Sequence, residues 1–221
     1  MKADPVQNAD ITWEDDSLPI ATRFADPYFS RANGLAETEH VFLAGNGLPA
    51  RFYPGFHIAE LGFGTGLNAL VAGAAWRGAG RLRYTGFEAF PMRPEDIARA
   101  LERWDLPDKP ALLDGLARGA TQFQTSSLDI ELVIGDARQT LPHHTLRADA
   151  WFLDGFSPAK NPELWGEDLL GEVAKHTAPH GTFATYTAAG HVRRALAQAG
   201  FAVQRCDGFG AKKHMTQGKL C

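Results

Sequence analysis

Cysteine, basic charge and long apolar runs are all scarce in this chain of 221 residues. With two cysteines, Cys206 and Cys221, we expect no disulfide framework, which suits a reducing compartment. The formal net charge of −4 argues against tight, non-specific nucleic-acid binding but leaves room for a local basic patch. No apolar run is long enough to span a bilayer, and the polar residues 1–16 lack the apolar core of a signal peptide. The sequence therefore predicts a cytoplasmic protein with no membrane partner.

The eight histidines do not show the spacing of a metal site. His176 and His180 are four positions apart, but Pro179 between them argues against the regular helix that would bring them together. We therefore predict no bound metal.

Short apolar segments alternate with helical ones from residue 56 onwards. This order is typical of a largely parallel sheet covered by helices on both faces, and it predicts an α/β fold of the Rossmann-like type. We expect residues 1–55 to form an N-terminal extension packed on a main domain of residues 56–221. The seven predicted strands are 56–61, 82–88, 130–134, 150–153, 182–187, 201–205 and 215–220, and the predicted helices are 35–43, 67–76, 94–104 and 191–199. In such sheets, ligands bind beyond the carboxyl ends of the strands.

A glycine-rich loop, Glu60 to Gly66, follows the first strand of the main domain. Its glycines let the backbone turn tightly and approach a ligand, as nucleotide-binding loops do. The spacing G-x-G-x-G lacks the third glycine position of the dinucleotide fingerprint, and the loop has no Lys-Ser/Thr pair of a phosphate-cradling loop. Glu60 adds a carboxylate suited to the methionine end of S-adenosylmethionine. The alternative is a purely structural glycine turn.

Acidic residues end the next two strands. Glu88 follows the second strand, where a carboxylate can accept both hydroxyls of a ribose. Asp136 and Ala137 follow the third strand, where side chain and backbone can reach the amino group of an adenine. The alternatives are a solvated cap for Glu88 and an ordinary Asp turn after Gly135.

The fourth strand delivers Asp154 into a loop rich in glycine and proline. A rigid loop of this kind favours a binding site, because little entropy is lost on ordering it. Asp154 can take a proton from a substrate amine, which must be neutral before it attacks a methyl group. In the same loop, Phe156 can pack on a flat base and Lys160 can meet a phosphate. Core packing of Phe156 and a solvated Lys160 remain the alternatives.

A small basic cluster, Lys212 and Lys213, lies in a glycine-containing loop near the end of the chain. It can contact a polyanion. From charge alone, a solubilising turn before the last strand is the favoured interpretation.

Taken together, three segments resemble the MnmC-type tRNA methyltransferases: 60–68, 152–165 and 208–215. So do Tyr28-Phe29-Ser30, Gly34-Leu35 and Glu37-Thr38 near the N-terminus. The most specific part is the middle of segment 152–165, which reads Asp-Gly-Phe-Ser-Pro-Ala-Lys-Asn-Pro. The similarity extends over essentially the whole chain. The last segment departs from the family pattern at His214, where an acidic residue is usual.

The resemblance implies a Rossmann-like fold that binds S-adenosyl-L-methionine. It assigns the cofactor to the loop and strand-end residues Glu60, Gly62, Gly64, Thr65, Gly66, Asn68, Glu88, Asp136, Ala137 and Asp154. It also implies N-methylation of the 5-aminomethyl group on the wobble (2-thio)uridine of tRNA, but it fixes no catalytic base. From the residues themselves we predict Asp154 as catalytic residue and Phe156, Lys160, Lys212 and Lys213 at the substrate. Many relatives carry a C-terminal FAD-dependent oxidase, and this chain, which stops at Cys221, has no room for that domain. We therefore expect a stand-alone methyltransferase, or an excised half, with a separate oxidase that acts upstream.

Three other functions remain open on sequence grounds. The acidic balance is compatible with a methyltransferase acting on a small-molecule or protein amine. A nicotinamide oxidoreductase shares the type of sheet, although the glycine spacing argues against it. A non-catalytic module that keeps the cofactor fold is the third.

Overall fold

The computed structural model describes residues 7–221; the first six residues of the predicted extension lie outside the described residues. The strands are β1 (Ile11–Glu14), β2 (Leu18–Ala21), β3 (Asp26–Pro27), β4 (His57–Leu61), β5 (Leu82–Glu88), β6 (Gln122–Gln124), β7 (Leu128–Ile134), β8 (Ala148–Leu153), β9 (Thr177–Thr185), β10 (Phe201–Asp207) and β11 (His214–Leu220). The α-helices are α1 (Gly34–Glu37), α2 (Leu67–Ala75), α3 (Pro94–Leu101), α4 (Lys109–Ala117), α5 (Ala137–Thr140), α6 (Glu167–Lys175) and α7 (Gly190–Gln198).

An eight-stranded sheet, in the order β10-β11-β9-β8-β4-β5-β7-β6, forms the centre of the molecule. β4 lies between β5 and β8 and is parallel to both. The strands β5 to β7 lie on one side of β4 and the strands β8 to β11 lie on the other, so the order of the strands in the sheet reverses between β4 and β8. β11 and β6 are antiparallel to their neighbours. The α/β class and the seven predicted strands are present. The sheet has one strand more than predicted, because β6 is short and mostly exposed and therefore has no apolar pattern.

Alternate residues of each central strand enter separate cores on the two faces of the sheet. Ile58 and Phe152 pack on the face covered by α2, α3 and α4. Ala59 and Trp151 pack on the face covered by α6 and α7. All five residues of β4 are buried, as expected for a central parallel strand with helices on both sides.

The helices follow from their apolar spacing and their ends. Pro94 occupies the first turn of α3, which ends at Leu101 rather than at the predicted Trp104. α7 is followed by Gly200, whose φ of +105° suits a glycine. The sequence analysis missed α4 and α6, although the buried apolar positions of α6 are spaced as in an amphipathic helix. Among residues 7–221, no helix combines the length and apolar character needed to cross a membrane.

The N-terminal segment has two parts. β1, β2 and β3 pair in a small antiparallel sheet of their own, which the sequence analysis did not predict. The predicted helix 35–43 is instead α1 followed by a π-helical segment, Thr38–Leu43, and a 3₁₀ turn, Ala44–Asn46. Val41 and Phe42 of the π-helical segment are buried in the main core.

An ion pair next to β3 helps to fasten the small sheet to the main domain. Asp26 Oδ2 accepts a hydrogen bond from the backbone N–H of Ser157 at 2.8 Å, and its Oδ1 pairs with Lys160 Nζ at 2.8 Å. Lys160 Nζ also donates to the carbonyl of Ala25. The loop after β8 therefore holds the segment that contains β3.

We expect Asp26→Asn to speed tryptic cleavage after Arg23, an exposed residue just before β3. The substitution removes the ion pair and weakens the contact with Ser157, so the segment opens more often. Limited proteolysis with mass spectrometry of the fragments measures the rate. Asp10→Asn, at an exposed position, is the matched control. Equal cleavage rates for the two variants would contradict the role assigned to Asp26.

Candidate active site

A cavity of about 1060 Å³ opens at the carboxyl edge of the sheet. That edge lies above the β4–β8 pair, where α/β sheets bind their ligands. The predicted site residues that line it are Gly62, Gly64, Thr65, Asn68, Glu88, Asp136, Ala137, Asp154, Phe156, Lys160 and Lys212. Glu60, Gly66 and Lys213 do not line it.

The glycine loop lies directly against the loop that follows β8. Gly62 has a φ of +80°, and a Cβ at this position would stand 2.9 Å from the carbonyl oxygen of Asp154. Any larger residue would push the two loops apart. Gly66 leaves room for the ring of Phe63, because a Cβ at position 66 would lie 2.9 Å from that ring. The glycines therefore set how closely the two strand ends approach each other.

Glu88 is held by the backbone of two loops. Its Oε2 accepts from the N–H of Gly64 at 2.9 Å, and its Oε1 accepts from the N–H of Phe90 at 2.9 Å. Burial raises the pKa of this carboxyl, while the backbone N–H groups oppose the rise. Each oxygen retains acceptor capacity beyond its single backbone bond, so the carboxylate can still receive hydroxyl groups from the cavity.

Asp136 caps the short helix α5 and pairs with Arg138. Its Oδ1 accepts from the backbone N–H of Arg138 at 2.9 Å, and its Oδ2 lies 2.6 Å from the Arg138 guanidinium. The guanidinium holds the pKa of Asp136 below its usual value. Ala137 is buried beside it at the cavity wall. The capping turn that we considered as the alternative is present, and it leaves both residues on the cavity surface.

Glu60 lies beneath the cavity, completely buried. Its Oε1 accepts from the Asn68 amide at 2.6 Å and its Oε2 accepts from the Tyr84 hydroxyl at 2.7 Å. The direct cofactor contact predicted for Glu60 therefore does not fit its position, because both oxygens face inward to protein donors.

Asn68 connects the buried Glu60 to Asp154. Besides its bond to Glu60, the Asn68 amide nitrogen donates to Asp154 Oδ2 at 2.8 Å. The amide oxygen accepts from the Thr38 hydroxyl at 2.6 Å, which fixes the orientation of the amide. The two carboxyl groups thus share the two N–H bonds of one neutral side chain.

Asp154 has its proton affinity shifted into the physiological range. Burial, and to a smaller extent the charge of Glu37, raise the pKa of this carboxyl to about 7. Hydrogen bonds from Gly155 and Asn68 and the charge of Lys212 oppose the rise. A carboxyl with such a pKa, facing a cavity, can accept a proton near neutral pH.

Phe156 belongs to an aromatic cluster formed by Phe24, Tyr28, Phe90 and Phe156. Its ring stacks on Phe24 with centroids 4.6 Å apart, and it meets the edge of Tyr28 at 5.1 Å. The packing role considered as an alternative is thus observed, and all four rings line the cavity. They form one aromatic wall.

The three predicted lysines differ in their surroundings. Lys160 is engaged by Asp26 and Ala25, so its observed contact is structural and the phosphate contact stays a prediction. Lys212 reaches the cavity and pairs with Glu37 at 2.9 Å. Lys213 is exposed and forms no ion pair within residues 7–221.

Two further cavity residues, Glu37 and Tyr186, were not predicted. Tyr186 directly follows β9, and its hydroxyl donates to the carbonyl of Gly155 at 2.6 Å. The rule that directed attention to strand ends would have found it. Glu37 belongs to the helical N-terminal segment, and no pattern in the sequence indicates that this segment borders the site.

The pKa of Asp154 predicts how stability depends on pH. Because the folded chain holds this proton more tightly than the unfolded chain does, the stabilising effect is complete below about pH 4 and is lost as the pH rises to about 7. From pH 5 to pH 8 the wild type should lose about 2 kcal/mol more free energy of unfolding than Asp154→Asn, which does not titrate. Urea unfolding without cofactor measures this, and the exposed Asp105→Asn is the control. Parallel pH curves for wild type and Asp154→Asn would contradict the shifted pKa.

Comparison with known proteins identifies the family of the chain. Residues 109–220 match a family model described as an S-adenosyl-L-methionine-dependent methyltransferase. The tRNA 5-methylaminomethyl-2-thiouridine biosynthesis bifunctional protein MnmC of Ectopseudomonas mendocina is 45% identical over 96% of this chain and 35% of its own length. The protein of the same name from Hahella chejuensis is 41% identical over 99% of this chain and 37% of its own length. The chain thus spans little more than a third of these curated relatives.

A solved structure, MnmC2 from Aquifex aeolicus, superimposes with a TM-score of 0.72 at 26% identity. The match covers 97% of this chain and 71% of the other. Because the family model matches half of the chain, the chain belongs to the S-adenosyl-L-methionine-dependent methyltransferases, and over almost its whole length it is similar to one part of the MnmC proteins.

Proposed function

We propose that this chain methylates the amine of a 5-aminomethyl group on the wobble (2-thio)uridine of tRNA. The observation that carries this proposal is Asp154, a carboxyl with a pKa of about 7 at the edge of the cavity. A primary alkylamine is mostly protonated at neutral pH and must lose a proton before methylation. The names of the relatives, which refer to 5-methylaminomethyl-2-thiouridine in tRNA, support the substrate.

The residues at the strand ends fit S-adenosyl-L-methionine. Glu88 retains acceptor positions for ribose hydroxyls, and Asp136 with Ala137 offers polar groups to an adenine edge. Gly62 and Gly64 leave the backbone bare where a ligand approaches. A cavity of about 1060 Å³ exceeds a typical ligand pocket of about 300–1,000 Å³, which leaves room for an acceptor nucleotide beside the cofactor. When bound, the cofactor supplies an electrophilic methyl group on its sulfonium.

We assign deprotonation of the amine and positioning of the substrate to residues of this chain. Asp154 accepts a proton from the acceptor ammonium, which frees the lone pair on nitrogen. Asn68, oriented by Glu60 and Thr38, keeps the Asp154 carboxylate in place. The aromatic wall around Phe156 gives a surface on which a uracil ring can pack. Lys160 and Lys212 line the cavity and Lys213 is exposed next to Lys212, and we assign all three to tRNA phosphates.

Two parts of the proposal concern the organisation of the protein. The relatives are named bifunctional, and we propose that a separate FAD-dependent oxidase acts upstream of this chain by exposing the amine. We also propose that residues up to 55 act as an extension that completes the site, with the methyltransferase domain beginning at residue 56. Asp26, Glu37 and Thr38 support this division of roles, because each contacts or lines the cavity from the N-terminal side.

Incubation with S-adenosyl-L-methionine and tRNA bearing 5-aminomethyl-(2-thio)uridine should yield the methylaminomethyl nucleoside, measured by mass spectrometry of the digested tRNA. Asp154→Asn should lower the rate at neutral pH by about 10²-fold or more, the usual size of a general-base contribution, and keep cofactor binding. Asp105→Asn should behave as wild type. Absence of product would refute the proposed function, and product from a free alkylamine but not from tRNA would favour a small-molecule methyltransferase.

Glu88→Gln should weaken binding of S-adenosyl-L-methionine by about tenfold or more, because the amide loses one backbone contact and one acceptor for the ribose. Titration calorimetry without tRNA gives the Kd. Glu95→Gln, an exposed substitution in the first turn of α3, is the control. An unchanged Kd in Glu88→Gln would remove Glu88 from the cofactor site.

A further inference from the structure

Three side chains that meet at one wall of the cavity form a small cation site. The Lys212 ammonium lies 2.9 Å from Glu37 Oε1 and 3.8 Å from the centroid of the Tyr186 ring. Glu37 comes from α1, Tyr186 follows β9, and Lys212 belongs to the loop between β10 and β11. A carboxylate beside an aromatic face is a receptor for an alkylammonium group.

The two charged partners are unequally buried. The Glu37 side chain is 11% exposed, whereas the Lys212 side chain is 45% exposed. A buried carboxylate needs a cation beside it, because loss of its partner leaves an uncompensated charge in a poorly solvated place. Lys212 can instead move its ammonium into water at little cost, since its stem is flexible and already half in solvent. Glu37 is therefore the fixed part of the site and Lys212 the exchangeable part.

Tyr186 is also fixed. Its hydroxyl donates to the carbonyl of Gly155, which follows Asp154 directly. This bond turns the ring face toward the position now taken by the Lys212 ammonium. A cation held there lies within the electrostatic reach of Asp154, since the charges of Glu37 and Lys212 both act on that carboxyl.

We propose that Glu37 and Tyr186 form the receptor for the ammonium form of the acceptor amine, and that Lys212 occupies this receptor until the acceptor displaces it. The inference rests on the proposed function and names the groups that recognise the amine. The bound ammonium transfers one proton to the Asp154 carboxylate, which gives a neutral amine with a free lone pair and a neutral carboxyl group. The neutral amine no longer competes for Glu37, so Lys212 returns to it.

This exchange also explains selection for an amine. A uridine without the aminomethyl group has no cation to offer and cannot displace Lys212 from Glu37. A site that must keep its buried charge paired discriminates against a ligand that lacks the matching group. The ratio of the affinities for the two tRNAs is the quantity that the site controls.

The test compares the Kd of two tRNAs that differ only in the wobble uridine, 5-aminomethylated or unmodified, at pH 7 without cofactor. The wild type should bind the aminomethylated tRNA more tightly. Glu37→Gln should reduce the affinity ratio by about tenfold or to near one, because a charged hydrogen bond is lost. Lys212→Met should increase the ratio, because the competing cation is gone. Using a ratio cancels any loss of general tRNA affinity caused by removing a lysine.

Matched controls are available next to both residues. Glu39→Gln and Lys213→Met change the same charges at exposed positions and should leave the ratio unchanged. Tyr186→Phe should keep much of the ratio and Tyr186→Leu should lower it, because only the former retains an aromatic face. The double variant Glu37→Gln/Lys212→Met has no unpaired charge at this site, and thermal unfolding checks that each variant is folded.

A wild-type ratio of one, an unchanged ratio in Glu37→Gln, or an unchanged or reduced ratio in Lys212→Met would overturn the inference. If the wild type still produces methylated nucleoside in these cases, the proposed function stands and only the receptor is rejected. Absence of methylated product, by contrast, refutes the proposed function itself.

Discussion

The site depends on one amide, that of Asn68, which lies between two buried carboxyl groups. Glu60 and Asp154 come from the ends of neighbouring strands, and each accepts one of the two N–H bonds of Asn68. Burial raises the pKa of both, and the charge of Asp154 contributes to the rise for Glu60. A neutral donor between them allows the two acids to lie close together without a buried cation. The Thr38 hydroxyl donates to the oxygen of the same amide, so the oxygen and both N–H bonds of the Asn68 amide are paired.

Around this centre, distant parts of the chain each supply one wall. The N-terminal segment brings Glu37 and Tyr28, the loop after β8 brings Asp154 and Phe156, and the last hairpin brings Lys212. Contacts between these parts are mainly ionic or aromatic, as in the pairing of Lys212 with Glu37 and the stacking of Phe156 on Phe24.

Much of this arrangement is predictable from the sequence, for identifiable reasons. Glu88, Asp136 and Asp154 lie at the carboxyl ends of parallel strands, and the topology of the sheet brings such ends together. The direction of a side chain was not predictable from the sequence. Glu60 has the right residue type in the right loop but points inward to Tyr84. Lys160 is engaged by Asp26, a residue 134 positions earlier in the chain. β1, β3 and β6 are short and only partly buried, and β2, although mostly buried, has four residues, so their patterns are weak.

The sequence by itself determined the α/β class, the order of the strands along the chain and the acids that end them. It did so because burial on two faces imposes continuous apolar strands, and because glycines are required where the backbone turns at positive φ. Only the tertiary structure decided the proton affinity of Asp154, the partner of each lysine and the place of Glu37 and Tyr186 in the wall. Those properties depend on burial and on charges brought together from far apart in the chain, and neither distance nor solvent exclusion is encoded in local spacing.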